Sequence, residues 1–414
     1  MSLIDTLLII SVFSIWLVLL VNVILVFAGY IGYLRTHQAP LPSKLPFVSV
    51  LVPAHNEGIV IIKTIESLLA FDYPVNKYEI IVINDNSSDN SAELLQKIQE
   101  KNQGRFLKVI NTDEIVGGKG KSNALNIGLK EAKGSVIAVY DADNTPEKPA
   151  LKILVSELAV DKKAGAVIGK FRTRNKDASL LTRFINIETL SFQWLSQSGR
   201  KALFNLCTIP GTNYVIRKEL IERMGGWDVN ALAEDTEVSF RVYRMNYHIN
   251  FQPLAVTWEQ EPQTFDVWFH QRTRWVKGNI YVILKNLKLL FVKEGRAIRF
   301  DLIYLLAIYF LLMFSLIISD ITFILSVSGF VHIDITGFSN LLWLFAIILF
   351  VVSTFITITT EKGEMTFDNL MIIILMYVVY SQMWLIVAFY GLMVYMWEKI
   401  SHKKTGWYKT KRYK

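Results

Sequence analysis

Acidic residues close apolar runs at three places along the chain: Asn84-Asp85, Asp141-Ala142-Asp143 and Glu234-Asp235. A fourth cluster, Gln271-Arg272-Thr273-Arg274-Trp275, stands just before a hydrophobic C-terminal third. Asp141 and Asp143, one residue apart, project to the same side of an extended backbone, so both can face one hard cation such as Mg²⁺ or Mn²⁺. A cation held that way neutralises charge on a diphosphate. Asp85, at the end of an apolar run, can cap the next loop or accept hydrogen bonds from a ribose or a uracil. Asp235 also suits a helix N-cap.

Other segments carry polar groups at equally exposed points of the pattern. Pro53-Ala54-His55-Asn56-Glu57 follows an apolar run and opens a helix, where the macrodipole alone favours Glu57. Gly117-Gly118-Lys119-Gly120-Lys121-Ser122 looks like a phosphate loop, but Walker A spacing needs a glycine where Ile115 stands. A glycine-rich turn that starts a helix still offers backbone N–H groups and a positive helix end to phosphate. Gly211-Thr212-Asn213 precedes a short apolar run. In a helix, Gln271, Arg274 and Trp275 fall at i, i+3 and i+4 and share one face. That face presents an amide, a guanidinium and an aromatic platform suited to a sugar chain, with a cation–π or packing contact as the simpler reading.

These residues need a scaffold, and the first half of the chain spells one out. Phe47–Val52, Glu79–Asn84, Phe106–Ile110 and Ser135–Tyr140 read as short buried strands. Glu57–Ala70, Ser91–Lys101 and Lys121–Lys133 between them have helical spacing, and Ser87-Ser88-Asp89 supplies N-cap residues. The alternation predicts an α/β domain with a mostly parallel sheet. Ligands of such sheets bind at the carboxyl ends of strands, where Asp85 and Asp141 fall.

The remainder reads as membrane. Charged residues make up only 19% of the 414, hydrophobic ones 52%, and the mean hydropathy is positive. Residues 6–34, 302–319, 335–360 and 369–397 are free of charge, and each is long enough for a hydrocarbon core of about 30 Å. The first run is too long for a secretory h-region, has no early basic patch and lacks a small-residue cleavage site, so it reads as a retained anchor. The single cysteine, Cys207, excludes an internal disulfide and a cysteine zinc site. Of the net charge of +8, Lys399–Lys414 carries seven units. A basic tail beside a span marks a cytoplasmic face, and no basic recognition surface for nucleic acid appears upstream. One anchor and three C-terminal spans would put that tail outside, so either one run forms a hairpin or re-entrant element, with the interrupted run 302–334 the candidate for a bent or double pass, or the tail is external. Asn279–Val292, with Ile280, Ile283, Leu284, Leu287 and Leu290 on one side, is expected to lie in the membrane interface or to face the core.

Taken in order, Pro-x-x-Asn-Glu, the strand-end Asp85, Lys121-x-x-x-Leu125-Asn126, Asp141-x-Asp143, Glu234-Asp235 and Gln271-x-x-Arg274-Trp275 resemble the processive family 2 glycosyltransferases that make cellulose, chitin, hyaluronan and similar polymers. The resemblance implies a GT-A type nucleotide-sugar-binding domain joined to an α-helical transmembrane bundle. It divides the chain into an anchor (1–35), a cytoplasmic glycosyltransferase domain (36–278), an interface segment (279–300), a transmembrane region (301–398) and a basic tail (399–414). It assigns Asn56, Glu57, Asp85, Lys121, Asp141 and Arg274 to the nucleotide donor, and Asp141 and Asp143 to Mg²⁺ or Mn²⁺. Gly211, Thr212, Asn213, Gln271 and Trp275 go to the acceptor, and Asp235 beside Glu234 to catalysis as the base. Ala233 departs from the threonine usual before that pair. Trp407, Thr410 and Arg412 resemble a gating tail over the nucleotide, at a different spacing. The implied reaction is inverting polymerisation of a UDP-sugar, UDP-glucose favoured, into a β-linked polysaccharide such as a β-glucan. The chain would be exported across the plasma membrane by a multi-pass protein, with an accessory export subunit as a further partner. A UDP-N-acetylglucosamine or hyaluronan-type synthase, and non-processive transfer to a lipid carrier, are the alternatives.

Overall fold

A computed structural model describes residues 3–331, 339–402 and 410–413. The chain forms two compact units. One contains Arg35–Thr189, Asn205–Trp268 and the C-terminal tail; the other contains the N-terminal helix, Leu190–Phe204 and the chain from Phe269 through the last helix.

The first unit is built on an eight-stranded sheet: β1 (Val48–Ala54), β2 (Tyr78–Asp85), β3 (Leu107–Thr112), β4 (Val136–Val139), β5 (Thr145–Pro146), β6 (Ala164–Thr173), β7 (Tyr214–Arg217) and β8 (His248–Glu259). Their spatial order is β3-β2-β1-β4-β7-β6-β8-β5. β3, β2, β1 and β4 run parallel, β7 is antiparallel to both neighbours, β6 and β8 are parallel, and β5 is antiparallel to β8. β1, β2 and β4 are covered on both faces, which is why they read as unbroken apolar runs. The edge strand β3 is only partly buried. Ile61–Leu69, Ser91–Lys101 and Lys121–Glu131 form the three expected helices, the first burying Ile61, Ile65 and Leu68. Each such side chain contributes roughly 1.5–3 kcal/mol by leaving water. The chain leaves β1 toward β2 on one side and meets β4 on the other, so a topological switch point lies between β1 and β4.

In the second unit, four helices among the described residues are long and apolar enough to cross a membrane: Leu3–Leu34, Arg299–Val327, Trp343–Thr360 and Phe367–Ser401. At 1.5 Å per residue the first is about 48 Å long, more than a hydrocarbon core requires. In the described part of the run 302–334, where a bend or double pass is expected, Arg299–Val327 is one helix through Ser319-Asp320, with π-helical hydrogen bonding over Ala307–Leu312. Trp343 Nε1 donates to Ser319 Oγ at 2.9 Å and gives that polar step a partner inside the unit. The helix ends before Gly329, whose φ of +75° suits glycine. Within Asn279–Val292, residues 279–286 form the last turns of the helix Phe265–Asn286, with Ile280, Val282 and Ile283 buried and Leu284 exposed, and Leu287–Leu290 is a 3₁₀ turn.

The N-terminal helix is held by Phe192–Gly199, which has π-helical hydrogen bonding. The two approach through glycines. A Cβ on Gly29 would lie 2.1 Å from the Trp194 carbonyl oxygen, and one on Gly199 would lie 2.1 Å from that of Leu25. Ser198 Oγ donates to the Gly29 carbonyl, and Arg200, just beyond the π turn, forms a buried 2.8 Å ion pair with Asp301.

Candidate active site

The loops that leave β1 and β2 are stitched together. Asn56, at φ +53°, accepts hydrogen bonds at Oδ1 from the backbone N–H of Ser88 (2.6 Å) and Asp89 (3.1 Å), while its own N–H donates to Ser87 Oγ. Asp85 is buried, and its Oδ1 accepts from the Gly118 N–H at 2.9 Å and from Thr112 Oγ1 at 3.0 Å. A Cβ on Gly117 would fall 1.9 Å from Thr112 Oγ1 and 2.6 Å from Asp85 Oδ1, so only glycine fits there. Asp85 therefore anchors the glycine-rich loop to the sheet. That loop delivers Lys121 as the first residue of its helix.

Lys121 is the hub of the site. Its Nζ lies 2.6 Å from Asp141 Oδ1 and 3.4 Å from Glu234 Oε1, and donates to the Gly211 carbonyl at 2.8 Å. Burial opposes its charge, but Asp141, Glu234 and Asp235 together hold the ammonium protonated far above the usual lysine range. Gly211, at φ +86°, gives both groups room: a Cβ there would sit 3.0 Å from Asp235 Oδ2 and 3.3 Å from Lys121 Nζ. Asp235 stands in the first turn of Glu234–Arg244, and its Oδ1 accepts the Thr236 N–H at 2.7 Å. Ala233, not Asp235, occupies the cap. With Glu237, the two acids line the positive end of the helix.

Thr212 and Asn213 face into the protein. Thr212 Oγ1 accepts the Asp141 N–H at 3.0 Å and bonds Asn144 Oδ1, fixing the turn after β4. Asn213 Nδ2 donates to the Lys170 and Ala255 carbonyls and ties β6 to β8. Asn126 clamps the backbone of Trp227 at both its N–H and its carbonyl, each at 2.8 Å.

Asp141 and Asp143 do not lie on an extended strand as the sequence suggests. β4 ends at Val139, and the pair forms a turn closed by the Asn144 N–H on the Asp141 carbonyl. Asp141 meets Lys121, and Asp143 Oδ2 meets Arg412 Nη1 at 2.7 Å. Arg412 Nε also approaches Glu57 Oε2 at 3.4 Å. Burial opposes the arginine's charge, but Asp143, Glu57 and Asp141 hold it firmly ionised. A further acid belongs to this cluster. Glu259, at the end of β8, is pushed well up by burial and by the charges of Glu261, Asp143 and Asp141. Carboxylates thus outnumber the cations Lys121 and Arg412, and their oxygens are the donor type a hard divalent ion takes. Among the described residues, no group of three or more His, Cys, Asp or Glu is placed to hold a metal ion.

Sequence reasoning missed Glu259, Gln260 and Glu261. They carry the same mark as Asp85 and Asp141, polar and acidic residues closing an apolar run, here Leu254–Trp258. Arg272 was also passed over: it is 1% exposed, its Nη1 donates to Gln271 Oε1 at 2.6 Å, and its guanidinium lies over the Trp275 ring at 3.9 Å. Gln271, Arg274 and Trp275 do share a face of Phe265–Asn286, with Trp275 38% exposed. Of the tail residues, Thr410 is buried, Arg412 enters the acidic cluster and Trp407 lies outside the described residues.

A switch-point sheet that gathers an Asp-x-Asp turn, a lysine and an acidic helix start at its carboxyl ends defines a glycosyltransferase of the GT-A fold. The chain belongs to the family described as glycosyltransferase like family 2, which matches residues 46–278. Over 415 residues it is 46% identical to the probable glycosyltransferase YdaM of Bacillus subtilis (strain 168), covering 99% of this chain and 98% of that one. It is 33% identical over 277 residues to a poly-β-1,6-N-acetyl-D-glucosamine synthase of Staphylococcus aureus (strain COL), covering 67% of this chain and 62% of that protein. The mannosyltransferase PcManGT from Pyrobaculum calidifontis, solved in complex with GDP-Man and Mn²⁺, aligns with a TM-score of 0.66 at 20% identity over 90% of this chain and 99% of that one, a likeness of fold.

Proposed function

We propose that this enzyme is a processive, inverting polysaccharide synthase that uses a UDP-sugar. The observation that carries this reading is the Lys121 bridge: one ammonium touches Asp141, at the donor end, and Glu234, beside Asp235. In this reading Asp235 takes the proton from an acceptor hydroxyl, whose oxygen bonds to the anomeric carbon. The bond from that carbon to the diphosphate breaks, the electron pair leaves with UDP, and the configuration inverts. Asp141 and Asp143 would hold Mg²⁺ or Mn²⁺, which when bound neutralises the leaving diphosphate. Glu57 and Asp85 frame the nucleotide side, while Gln271, Arg274 and Trp275 offer contacts to sugar and diphosphate. The synthase relative supports N-acetylglucosamine as the donor sugar, rather than the glucose favoured by the sequence reading.

The experiment is a donor screen with purified, reconstituted protein, measuring UDP release and product length. UDP-N-acetylglucosamine should give long polymer; EDTA should abolish turnover and Mn²⁺ or Mg²⁺ restore it. Asp143→Asn should weaken metal and donor binding together. Full activity in EDTA removes the metal from the mechanism. A product that stops at one sugar on a lipid assigns the enzyme to carrier loading.

For the topology we propose that Thr410–Tyr413, which belong to the same folded unit as Arg35–Thr189, lie on the same side of a bilayer as that unit. In this reading the three apolar helices described between them make an even number of crossings, and one re-enters or lies in the membrane. The basic composition of the tail supports the cytoplasmic side. Single cysteines at Lys411 and at the exposed Ile115, on a Cys207→Ser background, should react with an impermeant maleimide only in inverted vesicles. Labelling of the Lys411 position in intact cells would refute this topology.

A further inference from the structure

We propose that the C-terminal tail is a tethered counter-cation of the donor site: Gln260 sets its register, and Arg412 neutralises Glu57 and Asp143 until a divalent cation takes Asp143 over. The proposal rests on the donor-site reading above.

The tail is held at two adjacent residues. Gln260 is buried, its Nε2 donates to the Tyr413 carbonyl at 2.9 Å, and its Oε1 accepts the Tyr413 N–H at 2.9 Å. A primary amide matches both backbone groups of one residue in this way, as a neighbouring strand would. A slip of one residue would turn the next side chain away, so the clamp fixes Arg412. Arg412 then reaches Asp143 Oδ2 at 2.7 Å and Glu57 Oε2 at 3.4 Å.

Both acids are nearly enclosed, with side chains 6% and 10% exposed, so each requires a counter-charge or a proton. The guanidinium supplies one charge spread over a planar fork; a divalent cation would bring two to a point. Asp143 Oδ2 cannot serve both at full strength, because the two cations repel across the shared oxygen. The remaining oxygen, Oδ1, has a hydrogen bond from Asn144 Nδ2 at 3.4 Å, long enough to yield to a metal. Cation binding and tail docking are therefore coupled, and by linkage each weakens the other. Gln260 acts through Arg412 and is a positioning residue.

The test is Mn²⁺ binding to the full-length protein without nucleotide, read by electron paramagnetic resonance. Arg412→Ala should bind Mn²⁺ more tightly than the parent by roughly tenfold or more, since a unit charge a few ångströms away is removed. Gln260→Leu should shift the affinity the same way with Arg412 intact, and Arg412→Lys should gain less than Arg412→Ala. Adding Mn²⁺ to the parent should speed hydrogen exchange at the Tyr413 amide. Equal or weaker Mn²⁺ binding by Arg412→Ala, with Asp143→Asn still lowering affinity in both backgrounds, overturns the counter-cation proposal alone. Mn²⁺ binding that ignores Asp143→Asn overturns the donor-site reading on which it stands.

Discussion

Asp235→Asn is expected to lower sugar transfer by roughly 10²–10⁴-fold, the range typical of a lost general base, while the catalytic unit stays folded. The amide keeps the size of the carboxylate, and its oxygen can still accept the Thr236 N–H that Asp235 Oδ1 accepts at 2.7 Å. What it cannot do is take a proton. Donor affinity should stay near that of the parent, because the acids that meet Arg412 and Lys121 at the end of β4 are unchanged. Steady-state turnover beside calorimetric donor binding separates the two effects. A variant that still makes polymer at near-parent rates would reduce Asp235 to a first-turn helix residue and hand the base role to Glu234.

Lys121→Met should cost roughly 10²–10³-fold, as loss of a fixed electrostatic contact in a catalytic site does. The ammonium is the counter-charge that Asp141 and Glu234 share, at 2.6 and 3.4 Å, and it also holds the Gly211 carbonyl at 2.8 Å. Lys121→Arg keeps the charge and should lose less, though its planar head cannot reproduce all three contacts. Turnover beside calorimetric donor binding checks the prediction. A Met variant with parent-like turnover would reduce the bridge to a structural contact, and one whose loss lies wholly in donor binding would show that Lys121 serves the diphosphate and not the base.

The parts of this protein that were legible in its sequence are those where local pattern and burial coincide. β1, β2 and β4 are covered on both faces, so they appear as apolar runs, and Ser91–Lys101 has the bounds its caps suggest. The second half of the sheet was harder. β5 is two residues long, β8 carries Pro253 and an exposed Leu254 within its run, and the β6–β8 register shifts twice. Asp85, Asp141 and Glu234-Asp235 stood out as acids closing apolar runs. Glu259 has the same setting, but the irregular strand before it hid the boundary. Lys121 was assigned to diphosphate through resemblance, and its bridge to Asp141 and Glu234 joins residues far apart in the chain. The same is true of Arg412 on Asp143 and of Arg200 on Asp301. Charge pairing over such separations leaves no periodic trace, and only the folded topology brings it out.

The glycine seam between the N-terminal helix and the π turn bears on how the molecule is made. The helix Leu3–Leu34 is synthesised before the segment it packs against, with the backbone around Leu25 and Gly29 still uncovered. The segment that closes over it, Phe192–Gly199, is translated only after β1 to β6 have appeared. Until then the first helix is an unfinished half of a joint, shaped by the absence of side chains rather than by greasy surface. Another helix could be as long and as apolar but would meet the π turn with Cβ atoms where carbonyl oxygens must sit. The leading helix is therefore a dedicated half of this joint, and a generic membrane address could not replace it.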